Sequence, residues 1–209
     1  NAVPNTILGQ ESSGSNLIVT NCKFTVGQQN GNVPIASGGS CDTLTVRYCS
    51  IDGGNFDTAN GPLIDFQSNG TLTCEYCYLH NTGGDIFNCA RSNGSQHQTL
   101  VFQNNLIENN GMSAGAHPDY LQLGSGTFDN ITIRFNTTYQ HASVAGTQGF
   151  VIATSNGSIT ASDISYNTMI AKDTVGTTAF QMSRFVEWDA SASTGLHTCT
   201  YNYVDFTAA

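Results

Sequence analysis

The stretch LTVRYCSI (44–51) reappears 28 residues later as LTCEYCYL (72–79), and the two align residue for residue. Five further segments fall on the same frame: LIVTNCKF (17–24), LVFQNNLI (100–107), ITIRFNTT (131–138), SDISYNTM (162–169) and HTCTYNYV (197–204). One column is always Cys or Asn: Cys22, Cys49, Cys77, Asn105, Asn136, Asn167 and Asn202, at steps of 27, 28, 28, 31, 31 and 35 residues. A self-similarity of roughly 20–50 residues is the signature of a solenoid, and a leucine-rich repeat would be shorter with different Leu and Asn spacing. Three positions before the column sit Val19, Val46, Cys74, Phe102, Ile133, Ile164 and Cys199, and five before it Leu17, Leu44, Leu72, Leu100 and Ile131. That spacing of two is a strand alternating inward and outward.

The Cys/Asn column has a physical reason. At a bend Asn tolerates left-handed torsions and bonds nearby backbone, and identical amides stacked about 4.8 Å apart form a ladder. Cys fits the same slot as a small hydrophobe. A second strand set precedes each repeat, at Leu63–Gln67, Asp85–Asn88, Asp119–Leu123, Phe150–Ile152 and Ala179–Met182. Gly-bearing turns separate the two sets at 68–70, 92–94, 124–126 and 155–157. The chain therefore reads as an all-β, right-handed parallel β-helix of about seven coils, a single domain over residues 1–209.

Composition agrees. Charged residues are only 10% of the chain, which disfavours surface helices. A formal net charge of -9 repels phosphate backbones and anionic lipid heads, so nucleic acid and membrane are not expected partners. No apolar run approaches the roughly 20 residues that cross a bilayer, and the N-terminus lacks a signal-peptide layout. Five of the seven Cys occupy repeat positions, which predicts packed, reduced thiols; Cys41 and Cys89 lie outside the ladder, about two coils apart. Asn69, Asn93, Asn130, Asn136 and Asn156 begin glycosylation sequons, but Asn136 sits in the ladder and is expected to be buried.

The Asn ladder, coil length and strand layout resemble the pectate-lyase-like right-handed β-helix superfamily, which contains polysaccharide lyases, glycoside hydrolases, phage tailspikes and adhesins. The resemblance implies a polysaccharide partner, an extracellular, secreted or virion-surface setting, and a substrate groove on the first strand set and the loops leading into it. Mapped onto this chain, the groove takes in Asp65, Gln67, His80, Asp85, Asn88, Arg91, His117, Asp119, Tyr120, Gln122 and His141. The densest string is His117-Pro118-Asp119-Tyr120-Leu121-Gln122, which the previous coil echoes as Asp85-Ile86-Phe87-Asn88.

Two mechanisms suit that pair of acids. In a hydrolase, Asp85 and Asp119 act as acid and nucleophile, one coil spacing being close to the roughly 5–5.5 Å of retaining glycosidases. In a lyase, the favoured reading, they hold Ca²⁺ against a sugar carboxylate while His117, His141, Lys172 or Arg91 takes the adjacent proton. The four-Asp, Gly-His-Gly and Arg-x-Lys signatures of polygalacturonase-type hydrolases are absent. Tyr120 and Trp188 are candidates to stack on sugar rings, although Trp188 also suits a cap on the last coil's core. Against this stand two plainer readings. Asp119 shares the parity of inward Leu121 and Leu123, which would make Asp65 and Gln67 the better outward-facing residues. A groove lined mainly by the amides Gln67, Asn88 and Gln122 equally fits a glycan-binding module without catalysis, as in a fibre or tailspike. Open ends of such a helix invite association, so a homo-oligomer, a trimer for a fibre, is a further expectation.

Overall fold

A computed structural model describes residues 6–10, 16–26, 33–37, 41–54, 62–67, 70–89, 97–111, 118–124, 126–141, 148–172 and 185–207. Among them the chain is all strand and bend, without a helix, and the strands come in successive triplets. The triplets are β1 (Thr6–Gln10), β2 (Asn16–Thr20), β3 (Lys23–Thr25); β4 (Val33–Ser37), β5 (Thr43–Arg47), β6 (Ser50–Asp52); β7 (Ile64–Phe66), β8 (Gly70–Glu75), β9 (Tyr78–His80); β10 (Phe87–Cys89), β11 (His97–Gln103), β12 (Leu106–Glu108); β13 (Asp119–Leu123), β14 (Thr127–Arg134), β15 (Thr137–Gln140); β16 (Gln148–Ile159), β17 (Ser162–Ser165), β18 (Thr168–Lys172); and β19 (Val186–Ser193), β20 (His197–Thr200), β21 (Tyr203–Thr207).

Each strand pairs in parallel with its counterpart one triplet away, giving a parallel β-helix with three faces. The first face runs β1-β4-β7-β10-β13-β16-β19, the second β2-β5-β8-β11-β14-β17-β20, and the third is a seven-stranded sheet from β3 to β21. The repeat had suggested two strand sets per coil, and the third face is a finding of the structure. Its strands are mostly three residues long, too short for an alternation to separate them from the bend in sequence. At Ser155-Asn156-Gly157 the turn signal does not break the strand. β16 runs through it, with a register shift against β19 between Thr154 and Ser158, so this corner is a bulge. The strand read at Ala179–Met182 lies outside the described residues, and the segment that pairs with β16 is β19.

Columns of apolar side chains fill the interior. Leu44, Leu72, Leu100 and Ile131 stack in register on the second face, Ile51, Leu79 and Ile107 on the third, continued through the buried Thr138 to Met169, and Ile35, Ile64, Phe87, Leu121 and Phe150 on the first. Five of the seven cysteines belong to this core. All seven are free thiols, with Cys41, Cys49, Cys74, Cys77 and Cys89 buried; Cys199, on the last strand of the second face, is exposed. Burial pushes the Cys89 thiol well above its ordinary range.

The ladder closes the bend between the second and third faces. Asn105, Asn136 and Asn167 are almost fully buried. Asn136 Nδ2 donates to Phe102 O at 2.9 Å and Asn167 Oδ1 at 3.0 Å, and its Oδ1 accepts from Asn105 N and Nδ2, both at 3.0 Å. Asn167 repeats the pattern onto Asn202. Above Asn105 the slot changes to Cys77 and Cys49, whose thiols donate weakly to backbone oxygens, including that of Val46 for Cys77. The residue before each ladder position is left-handed: Asn21, Tyr48, Tyr76, Asn104, Phe135, Tyr166 and Tyr201 all have φ between 54 and 56°.

Candidate functional site

Because β7, β10 and β13 pair in register, alternation on the first face turns one residue of each outward and aligns them. Asp65 sits beside Asn88, and Asn88 beside Gln122, with Val151 and Glu187 continuing the row. Adjacent members are one strand spacing apart, about 4.8 Å, so the row tracks the solenoid axis as a polymer would. Ile64 and Phe66, on either side of Asp65, are wholly buried. Gln67, just beyond, is exposed and donates from Nε2 to Asp65 Oδ2 at 2.7 Å.

The row holds unspent hydrogen-bonding capacity. Asp65 Oδ1 and Asn88 Oδ1 are shielded from solvent yet meet no donor among the described residues. Desolvation pushes the Asp65 carboxyl up to about 6, opposed in part by the Gln67 amide. A carboxyl titrating there holds its proton part of the time near neutrality, which suits it to donate or accept one during a reaction.

The two acids expected to act as a pair do something else. Asp119 is fully buried, because it shares the inward parity of Leu121 and Leu123. Asp85 Oδ1 accepts the Asp119 backbone N–H at 2.9 Å, and Ile86 N donates back to Asp119 O at 2.9 Å. The neighbours are as expected, but they lock the entry of β13 against the coil before it. Asp119 therefore faces inward at the start of β13, not outward as a catalytic group on the groove would. Among the described residues no group of three or more His, Cys, Asp or Glu is placed to hold a metal ion. Tyr120 is likewise corrected: it is 0% exposed, its hydroxyl donates to Gln140 Oε1 at 3.2 Å, and it has no face to offer a sugar. Arg91 and His117 lie outside the described residues; in sequence Arg91 follows Cys89 of β10 by two and His117 precedes Asp119 of β13 by two.

His141 belongs to another cluster, at the end of the third face. Outward residues of β6, β9 and β12 bring Asp52, His80 and Glu108 into register, with Tyr78 stacked on His80 at 4.0 Å between centroids. Tyr78 Oη donates to Glu108 Oε2, and His141 Nε2 lies 3.0 Å from Glu108 Oε1 and 3.0 Å from Asn109 Nδ2. The Tyr78 hydroxyl, and then His141, hold the Glu108 carboxyl below its usual range against burial, while burial and Glu108 push Tyr78 up to about 12. The groove mapping puts His80 with the first strand set, whereas it lies on the third face between Asp52 and Glu108, because the repeat alone shows no third strand to carry them. The contacts of Glu108 and Tyr78 are made within the cluster, so it reads as a network clamping neighbouring coils. By contrast, Asp65 Oδ1 and Asn88 Oδ1 of the first-face row meet no donor among the described residues.

Trp188, 38% exposed, stands edge-on to His197 and lines a cavity of about 320 Å³ with Ile164, Val186, Thr198 and Cys199 at the last coil. It therefore covers that end of the core only in part.

The chain matches no protein-family model, no curated protein and no solved structure at a significant level.

Proposed function

We propose that this protein binds a polysaccharide along its first face and cleaves it there, with Asp65 handling the proton and Asn88, Gln122 and Gln67 holding sugar hydroxyls. The observation that carries the reading is the row itself: a raised, half-buried carboxyl and an amide, each with an acceptor oxygen that meets no donor among the described residues, aligned along the direction a polymer would run. The Asn ladder and three-faced coil support placing the chain with the pectate-lyase-like β-helices, in an extracellular, secreted or virion-surface setting. An acidic polysaccharide cleaved by β-elimination is the favoured substrate and chemistry. Near neutral pH the ionised form of Asp65 repels a uronate, so the carboxylate is accepted either with Asp65 protonated or with Ca²⁺ carried in alongside the sugar. Arg91 and His117, flanking the strands of the row in sequence, are the basic groups proposed to complete the site.

The test is a panel of acidic and neutral polysaccharides, with and without Ca²⁺, followed by ultraviolet absorbance of the new double bond and by reducing ends. Absorbance with reducing ends means elimination; reducing ends alone mean hydrolysis. Asp65→Asn is expected to abolish cleavage while retaining binding, and full activity in that variant would overturn the role given to Asp65. A second reading has its own observation: Gln67, Asn88 and Gln122 outnumber the acid. A non-catalytic glycan-binding module, oligomeric if part of a fibre, predicts binding without either signal.

A further inference from the structure

The corner between the second and third faces carries a column of exposed aromatic rings. Tyr48 stacks on Tyr76 at 5.2 Å between centroids and 14° between planes, Phe135 on Tyr166 at 5.2 Å and 15°, and Tyr166 on Tyr201 at 5.0 Å and 13°. All five residues are left-handed, a region where bulky side chains are outliers and where Asn is the inexpensive choice. Local backbone preference therefore does not explain the rings. The stack is broken at one internal position, Asn104, which has the same φ of 56°. Pairing of β8 with β11, and of β11 with β14, puts Asn104 one coil from Tyr76 and one coil from Phe135. Two of the observed ring-to-ring steps leave the facing rings about 10 Å apart, with room for one further ring.

We propose that this gap is a binding slot for one pyranose ring of a glycan, separate from the first-face row. Both walls are aromatic faces, to which the C–H faces of a chair-form sugar stack. The floor is the Asn104 side-chain amide, which has no hydrogen-bond partner among the described residues and offers a donor and an acceptor to ring hydroxyls. Arg134, whose guanidinium lies 4.9 Å from the Phe135 centroid and 5.6 Å from that of Tyr166, sits beside both rings on the Phe135 side of the slot.

The slot does not depend on cleavage at the first face, and the test separates the two. Cellohexaose, whose rings present C–H groups on both faces, is titrated into the full chain while ring resonances of Tyr76 and Phe135 are followed by NMR. Saturable shifts of both rings are expected. Asn104→Tyr, which supplies the missing ring, is expected to weaken binding at least tenfold, and Tyr76→Ala about tenfold. Gln122→Ala is expected to leave the shifts unchanged. No shift in wild-type protein overturns the proposal, as does unchanged binding by Asn104→Tyr, which would make the column a structural zipper alone. Equal shifts with 4-methylphenol would overturn the assignment to a sugar.

Discussion

Removing one rung of the ladder tests the account of what holds this fold. In Asn136→Ala four hydrogen bonds disappear: two donated by Nδ2 and two accepted by Oδ1. The partners do not suffer equally. Asn167 Oδ1 still accepts the Asn136 backbone N–H at 3.0 Å, and Asn105 Nδ2 still reaches Cys74 O at 3.0 Å. The Asn105 backbone N–H loses the acceptor it has, one amide hydrogen is stranded, and the Phe102 carbonyl loses a donor, all at a site only 1% exposed at Asn136. Buried orphans cost about 1–3 kcal/mol each, so the loss should be about 3–5 kcal/mol, a large part of the roughly 5–15 kcal/mol that stabilises a typical domain. Asn136→Cys, which imitates the upper coils, retains a weak sulfur donor and acceptor and should cost less than Ala. At the last coil Asn202 is half-buried, water can replace its bonds, and Asn202→Ala should cost about 1–2 kcal/mol. Equilibrium denaturation in urea, followed by circular dichroism, measures all three. A loss under about 1 kcal/mol for Asn136→Ala, or an equal loss at Asn202, would refute the view that the buried amide ladder closes this corner.

Three further outcomes follow from the same geometry. The Asp65 carboxyl is raised from 3.8 to about 6 in the folded chain, so its proton stabilises folding fully below about pH 4, and that contribution is lost as pH rises through 6. Asp65→Asn should therefore gain about 1–2 kcal/mol over wild type at pH 8, the full shift being discounted for partial exposure, and the gain should vanish near pH 4; a pH-independent difference would contradict the desolvated carboxyl. Gly70, at φ 102°, lies against the previous coil, where an added Cβ would come 2.0 Å from Asp42 O, so Gly70→Ala should cost more than about 2 kcal/mol in thermal or chemical unfolding. Thiol titration should label Cys199 and Cys22 first in native protein and all seven in denaturant, whereas fewer than seven under denaturing, non-reducing conditions would mean that disulfides form.

How much of this was legible in sequence depended on distance along the chain. A solenoid writes its core as columns at a nearly constant step, so the ladder of Cys22 to Asn202 and the inward rows led by Leu17 and Val19 were visible without coordinates. The parity of a strand was legible too: Asp65 between Ile64 and Phe66 faces outward, and Asp119 with Leu121 and Leu123 faces inward. Tyr120 shows where parity stops. It alternates with buried neighbours, yet it is buried itself, because Gln140 from another face meets its hydroxyl.

Sequence by itself determined the all-β parallel solenoid and the ladder, since each rests on residues whose spacing is the structural period; the cysteines followed it only in part, Cys49, Cys74 and Cys77 being buried in their repeat positions and Cys199 exposed in its own. Only the tertiary structure decided that there is a third face, that Tyr78, Glu108 and His141 meet on it, and that Asp65 and Asn88 hold acceptors without donors among the described residues. The reason is physical. A period fixes which residues stack, but which side chains touch across a corner, and which are left wanting a partner, depends on how each coil turns and how its neighbours fill the space.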